Sequence, residues 1–155
     1  MSTRSCIARR KGDGFEGVYH HWDGYPTGLG ATLWGLAQEK DSGLLLEELI
    51  NKHPAGWSTI NGGLEGAECY CHSRNEPDQI VTQEDDLGME WAYVFDKEAN
   101  TMAVLERIRS NGNHAIGMFG TLGEDPETGK RDDAWTIRWV GRVDGPEPNW
   151  EELEQ

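Results

Sequence analysis

The first 22 residues alternate between apolar and polar positions in the way that is typical of a β-hairpin. Residues 2–10 alternate loosely, residues 11–14 are a strong turn sequence, and residues 15–22 are rich in aromatic and β-branched side chains. Successive side chains of a strand point to opposite sides. His20 and His21 are therefore expected to face different surroundings, and only one of them can face a given pocket.

Two helices are predicted directly after this hairpin. Apolar residues at helical spacing predict one helix over residues 27–37, with Thr27 as its N-cap residue. A second helix is predicted over residues 42–52, with Ser42 as its N-cap residue, because leucine and isoleucine recur on one face before Pro54 ends the pattern. Both helices therefore have one apolar stripe that can pack on a sheet.

The remainder of the chain predicts further short strands. A second hairpin is expected from residues 90–96 and 101–108, and residues 79–83 are expected to form a short strand. Residues 68–72 are predicted as another short strand. In the strand over 135–143, strict alternation places Trp135, Ile137, Trp139 and Val143 on one face. Residues 120–133 are predicted as a polar loop.

These elements predict an α+β fold. We expect a mostly antiparallel sheet of about six or seven strands, with two helices inserted after the first hairpin and packed on one face of the sheet. The length of the chain is typical of one domain. We assign residues 1–143 to a single α+β domain and residues 144–155 to an acidic C-terminal tail.

Composition places the chain among folded proteins of a reducing compartment. Of its 155 residues, 36% are hydrophobic and 27% are charged, which supplies a buried core. No run approaches the roughly 20 apolar residues that span a bilayer, so we expect no membrane segment and no signal peptide. Cys6, Cys69 and Cys71 are too few and too unevenly spaced for a disulfide framework, which predicts a cytoplasmic location.

The charge is strongly acidic and unevenly distributed. The formal net charge is −14, from 28 acidic and 14 basic residues. Such a field repels nucleic acid, so we expect no direct nucleic-acid binding; it suits a basic protein partner or a mimic of DNA. The basic residues Arg4, Arg9, Arg10 and Lys11 precede the first acidic residue, Asp13, and form a small cationic patch that suits one anionic small molecule.

The run from His20 to Pro26 is the strongest candidate for a ligand site. It places two imidazoles, an indole, a carboxylate and a phenol between a strand end and a predicted helix N-terminus. Backbone amides near residues 27–29 suit an anion, and aromatic rings suit a planar group. The alternative is that the aromatic residues only pack the turn. The candidate ligand-binding residues are Arg4, His20, His21, Trp22, Asp23 and Tyr25.

The cysteines suggest a second candidate, which we disfavour. The run Cys69-Tyr70-Cys71-His72 offers thiol and imidazole ligands for zinc, with His20 or His21 completing the set. A second cysteine pair is missing, and on a strand His72 would point away from both thiols. Buried, unreactive thiols are therefore the preferred interpretation, and we expect no metal site, no cofactor and no catalytic residue.

Two segments carry a resemblance to a known family. The opening Thr3-Arg4-Ser5-Cys6-Ile7-Ala8 and the run His21-Trp22-Asp23-Gly24-Tyr25-Pro26 resemble a family of small bacteriophage and mobile-element proteins with a TRS-x-IA hairpin and an HWDGYP motif. The likeness covers about the first 36 residues well and the rest loosely. It implies a phage-type accessory protein in the host cytoplasm, and such proteins often block host defence.

The leading functional hypothesis is a non-enzymatic binding protein. It is a phage-type inhibitor of host defence that captures a small anionic or nucleotide-like ligand, or docks on a basic host protein. A first alternative is a small hydrolase or nucleotide-processing enzyme that uses His20 or His21 with Asp23. A second alternative is a DNA-mimic inhibitor that works through its acidic loops.

Overall fold

The strands of the computed structural model form one mixed β-sheet. Its strands are β1 (Arg4–Lys11), β2 (Gly14–His20), β3 (Trp57–Thr59), β4 (Glu68–Cys69), β5 (Val81–Thr82), β6 (Met89–Asp96), β7 (Thr101–Ile108) and β8 (Ala134–Arg142). The residues that the structure describes are 3–61, 63–65, 67–85, 87–108 and 134–155.

The strand order is β4-β3-β2-β1-β6-β7-β8, and β5 pairs with β2 outside this path. The hairpins β1–β2 and β6–β7 and the pair β7–β8 are antiparallel. Strand β1 pairs with β6, and β2 with β3, in the parallel sense. The predicted α+β class with a mostly antiparallel sheet is confirmed, and the described residues contain eight strands.

Two helical segments follow the first hairpin, as predicted. Helix α1 (Ala31–Glu39) continues directly from a π-helical turn, Pro26–Gly30, and α2 (Ser42–Leu46) continues into another, Glu47–Asn51. The short helices α3 (Tyr70–Ser73) and α4 (Trp150–Leu153) come later in the chain. Among the described residues, no helix is both long enough and apolar enough to cross a bilayer.

The two faces of the sheet carry separate apolar clusters. On one face, Ile7, Val18 and Tyr93 pack against buried side chains of the helical segments, such as Leu33 and Leu49. The larger of the two clusters lies here. The other face carries a cluster made by strand residues, listed here: Cys6, Ala8, Phe15, Val81, Met89, Ala92, Val94, Ala103, Leu105 and Trp135. The helices therefore cover one face, as the amphipathic pattern predicts.

The helix starts differ from the sequence prediction. Asp41, and not Ser42, is the N-cap residue of α2, because its carboxylate accepts from the backbone N–H of Gly43 at 2.9 Å and of Leu44 at 3.4 Å. Thr27 lies inside the π-helical turn that Tyr25 precedes. A carboxylate one residue earlier thus satisfies the free amides that a serine at position 42 was expected to cap.

Replacing Asp41 with alanine is expected to lower the free energy of unfolding by about 1 kcal/mol, because the amides of Gly43 and Leu44 lose their acceptor. Asp41→Asn keeps an acceptor oxygen and should lose much less. Urea unfolding of the three proteins measures the difference. Equal losses in the alanine and asparagine variants would contradict the capping role.

A β-bulge changes the faces of strand β8. Val104 pairs with Trp139 but Leu105 pairs with Ile137, so one extra residue is present in β8 at this point. Trp135 consequently packs on the strand-only face, whereas Trp139 packs on the helix-covered face. The prediction that Trp135 and Trp139 share a face is therefore wrong, because period-two alternation does not continue through a bulge.

Residues 144–155 are tied to the helix-covered face. The ring of Trp150 lies 6.3 Å from those of Trp34 and Trp139, in edge-on arrangements, and it is largely buried. The carboxylate of Glu154 accepts from Thr27, from its backbone N–H at 2.7 Å and its hydroxyl at 2.6 Å. The predicted loop over residues 120–133 lies outside the described residues.

Candidate ligand surface and thiol–imidazole cluster

His20 is a buried residue at the end of β2. Its side chain has no exposed surface, and its Nε2 atom accepts from the backbone N–H of Ile60 at 3.0 Å. Burial, with a smaller contribution from His21, lowers the pKa of His20 to about 3. The ring is therefore neutral at pH 7, with its proton on Nδ1, and this atom has no hydrogen-bond partner within the described part of the chain.

The turn after His20 is packed against β1 and β6. The N–H of Gly24 donates to the carbonyl of Thr3 at 2.8 Å, and the hydroxyl of Tyr93 donates to the carbonyl of Gly24 at 2.6 Å. Asp23 has a positive φ of 54°, a conformation that aspartate tolerates better than most residues. The turn residues Asp23 and Gly24 thus have a clear packing role.

The chain itself uses the amides that were expected to bind an anion. Thr27 donates to Glu154, Gly28 donates to the carbonyl of Tyr25, and Leu29 donates to the carbonyl of Asp23. The negative charge of Asp23, with that of Glu154, also raises the pKa of Tyr25. This end of the candidate site is consequently acidic and already hydrogen-bonded, which disfavours an anionic ligand.

The opposite side of β2 carries a row of aromatic side chains. The Tyr19 hydroxyl lies 2.7 Å from Nδ1 of His21, and the Tyr19 ring stacks on that of Tyr70 with 6.4 Å between centroids. The guanidinium of Arg74 lies over the Tyr70 ring, 5.1 Å from its centroid. Trp22 is 46% exposed and meets His21 edge-on at 4.6 Å. These rings form one continuous surface.

Arg4 approaches the same surface from strand β1. Cys6 pairs with Tyr19, so these two side chains share a face of the sheet. Arg4 lies two residues before Cys6 on β1 and is therefore on the same face. Burial, and then the positive charges of Arg4 and Arg74, lower the pKa of His21. We call this group the Arg4–Arg74 surface, and its members are Arg4, Tyr19, His21, Trp22, Tyr70 and Arg74.

Of the six predicted ligand residues, three come together on this surface. Arg4, His21 and Trp22 belong to it, whereas His20 is buried on the opposite face of the sheet. The sequence prediction missed Tyr70 and Arg74. They lie about 50 residues from His21 in sequence, and no periodic signal joins them to the first hairpin.

A second group of reactive side chains lies at the β3–β4 end of the sheet. His53 follows the π-helical turn Glu47–Asn51, Cys69 ends β4, and Cys71 and His72 lie in α3. The two Sγ atoms and one ring nitrogen of each histidine all lie within 4.8 Å of one another. His72 Nδ1 is 3.1 Å from Cys69 Sγ and 3.4 Å from Cys71 Sγ, and His53 Nδ1 is 3.5 Å from Cys71 Sγ.

The surroundings shift the two thiol pKa values in opposite directions. Burial raises the pKa of Cys69, but hydrogen bonds from the backbone and ring of His72, and from Cys71 and His53, outweigh it and lower this pKa to about 6. Burial and the neighbouring Cys69 raise the pKa of Cys71. The pair therefore favours one thiolate at neutral pH, a state in which sulfur is both a nucleophile and a metal ligand.

The sequence argument against His72 is wrong for a local reason. The predicted strand over 68–72 ends at Cys69, and a helical turn begins at Tyr70. The turn brings the N–H of His72 to within 3.3 Å of Cys69 Sγ and places its ring beside both thiols. His53 takes the position that was considered for His20 or His21, and no recognisable spacing indicated it.

No family model matches this chain, and comparisons with curated proteins and with solved structures give no significant match either. Two arrangements of the described residues bear on function. One is a cationic and aromatic surface that suits an anion, and the other is a thiol–imidazole cluster that suits a soft metal ion.

Proposed function

We propose that this chain is a non-enzymatic binding protein that holds a small anionic, nucleotide-like ligand on the Arg4–Arg74 surface. The observation that carries the proposal is that neither Arg4 nor Arg74 makes an ion pair with a carboxylate in the described ranges. Both guanidinium groups flank the same aromatic row. Each is free to form charge-assisted hydrogen bonds to phosphate or carboxylate oxygens.

The acidity of the chain makes it informative that Arg4 and Arg74 lack carboxylate partners in the part of the chain that the structure describes. Acidic residues outnumber basic ones by two to one, 28 to 14, so an arginine without a carboxylate partner is unexpected. Other arginines pair with acids, as Arg9 does with Glu16 at 3.0 Å and Arg138 with Glu106 at 2.6 Å. Two arginines that have no carboxylate partner among the described residues concentrate positive potential at this surface.

The neighbouring side chains suit the remainder of a nucleotide-like ligand. The lowered pKa of His21 favours its neutral form at pH 7, so this ring adds a hydrogen-bonding group beside the two arginines but no third positive charge. The exposed ring of Trp22 offers a stacking surface for a planar base.

The resemblance of the first 36 residues to phage and mobile-element proteins supplies the biological context of the proposal. In this context the protein acts in the host cytoplasm and inhibits host defence by capturing the ligand. Free thiols, which the structure contains, are compatible with that compartment.

We expect AMP and inorganic phosphate to bind the purified protein, and uncharged adenosine to bind much more weakly. Arg4→Gln and Arg74→Gln should each weaken AMP binding about tenfold or more, since one charge-assisted hydrogen bond contributes about 1.5–3 kcal/mol. Trp22→Ala should weaken AMP binding while leaving phosphate binding unchanged. Isothermal titration calorimetry at low and moderate salt measures these effects.

Arg142→Gln is the matched control, because it removes the same charge from an exposed arginine that pairs with Asp144 at 2.9 Å. It should bind AMP as the unmodified protein does. If Arg142→Gln and Arg74→Gln weaken AMP binding equally, the loss comes from the change in net charge, and this result would contradict the proposed site. Absence of AMP and phosphate binding would also contradict it, and conversion of AMP during long incubation would favour the enzyme alternative.

A further inference from the structure

The thiol–imidazole cluster has the geometry of a metal site. Ligand atoms that lie about 2.0–2.3 Å from a zinc ion in tetrahedral geometry are separated from each other by roughly 3.3–3.8 Å. Three of the four sulfur–nitrogen separations in the cluster are 3.1, 3.4 and 3.5 Å, close to the edges of such a tetrahedron. All four ligand atoms lie within 4.8 Å of one another, so small side-chain shifts complete the geometry.

We infer that His53, Cys69, Cys71 and His72 form a structural site for one Zn²⁺ ion. The donor set is two thiols and two imidazoles, which is the composition of Cys₂His₂ zinc sites. Soft sulfur ligands together with imidazole nitrogen disfavour calcium and magnesium, which prefer oxygen. On binding, the proton that the thiol pair still holds is released to solvent, and two thiolates neutralise the charge of the ion.

Neighbouring groups orient the histidine rings for this role. Nε2 of His53 lies 3.8 Å from a carboxylate oxygen of Glu48, which leaves Nδ1 directed at the cluster. The His53 ring also packs against Trp57 at 4.4 Å and against the His72 ring at 5.0 Å. A carboxylate on the far nitrogen of a ligating histidine is a recurrent feature of zinc sites, because it fixes the tautomer and the ring orientation.

The position of the cluster explains what the ion does for the fold. Between Asn51 and Met89, the described residues form only β3, β4, α3 and β5, and none of these elements exceeds four residues. The four ligands come from the end of the helical segment, from β4 and from α3, so one ion connects three pieces of this region. Four protein ligands also fill a tetrahedral shell, which is the arrangement of structural sites rather than catalytic ones.

This inference is independent of the proposed anion surface but has a consequence for it. Tyr70 lies between Cys69 and Cys71, and Arg74 lies just after α3. An ion bound to the cluster therefore holds the segment that carries two members of the Arg4–Arg74 surface. Metal content and anion binding are measured separately, so either idea can fail without the other.

The test begins with the unmodified protein, purified without chelator and analysed by native mass spectrometry. We expect one zinc ion per chain. X-ray absorption at the zinc edge should show two sulfur ligands at about 2.3 Å and two nitrogen ligands at about 2.0–2.1 Å. A protein that fails to retain zinc after dialysis against equimolar Zn²⁺, or a zinc shell of oxygen ligands, would overturn the inference.

Matched variants locate the site. Cys71→Ala and His53→Ala should lose the ion, whereas Cys6→Ala and His21→Ala should keep it, because Cys6 is buried on the other face of the sheet and His21 belongs to the anion surface. Substitution of Co²⁺ for Zn²⁺ should give the intense visible absorption of tetrahedral thiolate coordination in the two control variants. Loss of metal from Cys6→Ala to the same extent as from Cys71→Ala would place the ion elsewhere. The absorption measurements on the unmodified protein do not depend on whether a variant folds.

Discussion

Substituting Gly24 with alanine is expected to destabilise the fold by about 1–3 kcal/mol, the usual cost of overpacking a tightly filled position. A Cβ atom at this position would overlap the side chain of Ser5 and lie 2.7 Å from the carbonyl oxygen of Thr3. Ser5 is fully buried, so it cannot turn outwards. The hydrogen bonds of Gly24 with Thr3 and Tyr93 hold its backbone in place from both sides.

Gly35→Ala is the matched control for this substitution. Gly35 lies on the exposed side of α1, and a Cβ atom there would meet no atom within 4 Å. Alanine has the higher helix propensity, so this variant should gain up to about 1 kcal/mol. Urea unfolding of both variants measures the two opposite changes. If Gly24→Ala is as stable as the unmodified protein, the His20–Pro26 turn is not docked as tightly as the structure indicates.

Acid is expected to destabilise the protein through His20, by about 1.4 kcal/mol for each pH unit below the unfolded pKa. In the unfolded chain the pKa of histidine is 6.5, whereas burial lowers that of His20 to about 3. Below pH 6.5 the unfolded state therefore binds a proton that the folded state does not. The contribution of neutral His20 to the free energy of unfolding is fully present above pH 6.5, and it is lost progressively as the pH falls towards 3.

His20→Gln separates this effect from other titrations. Glutamine can accept from the N–H of Ile60 through its side-chain oxygen, but it does not bind a proton in this range. The difference in unfolding free energy between the two proteins should therefore change with pH between 7 and 5. The measurement is made in the presence of a chelator, so that proton competition for a metal does not contribute. A constant difference would show that His20 becomes protonated without loss of stability.

The hairpins were predictable because their determinants are local. The turn at residues 11–14 and the alternation on either side define β1 and β2, and the same holds for β6 and β7. The parallel pairing of β1 with β6 was not predictable in this way, because it joins segments about 85 residues apart in sequence. The bulge in β8 likewise depends on the partner strand, so alternation assigned Trp135 and Trp139 to one face incorrectly.

The residues of the candidate site were likewise predictable only where a local pattern of the sequence indicated them. His21 and Trp22 were identified because aromatic and imidazole groups are concentrated in one short run. The environment of His20 was not predictable, since only the tertiary structure shows that its side chain is buried and accepts from the backbone N–H of Ile60. For the thiols, the sequence supplied Cys69, Cys71 and His72 but misjudged their directions, because a helical turn replaces the predicted strand.

By itself the sequence determined the α+β class, the two helical segments, the two hairpins and the strong acidity, all of which depend on composition or on neighbouring residues. Only the tertiary structure decided which residues meet. In the tertiary structure Arg4 and Arg74 lie beside the same row of aromatic rings. His53 contacts the thiol of Cys71, from which it is separated by 18 positions in the sequence. Such contacts depend on how distant elements pack in the core, and no local pattern of the chain encodes that packing.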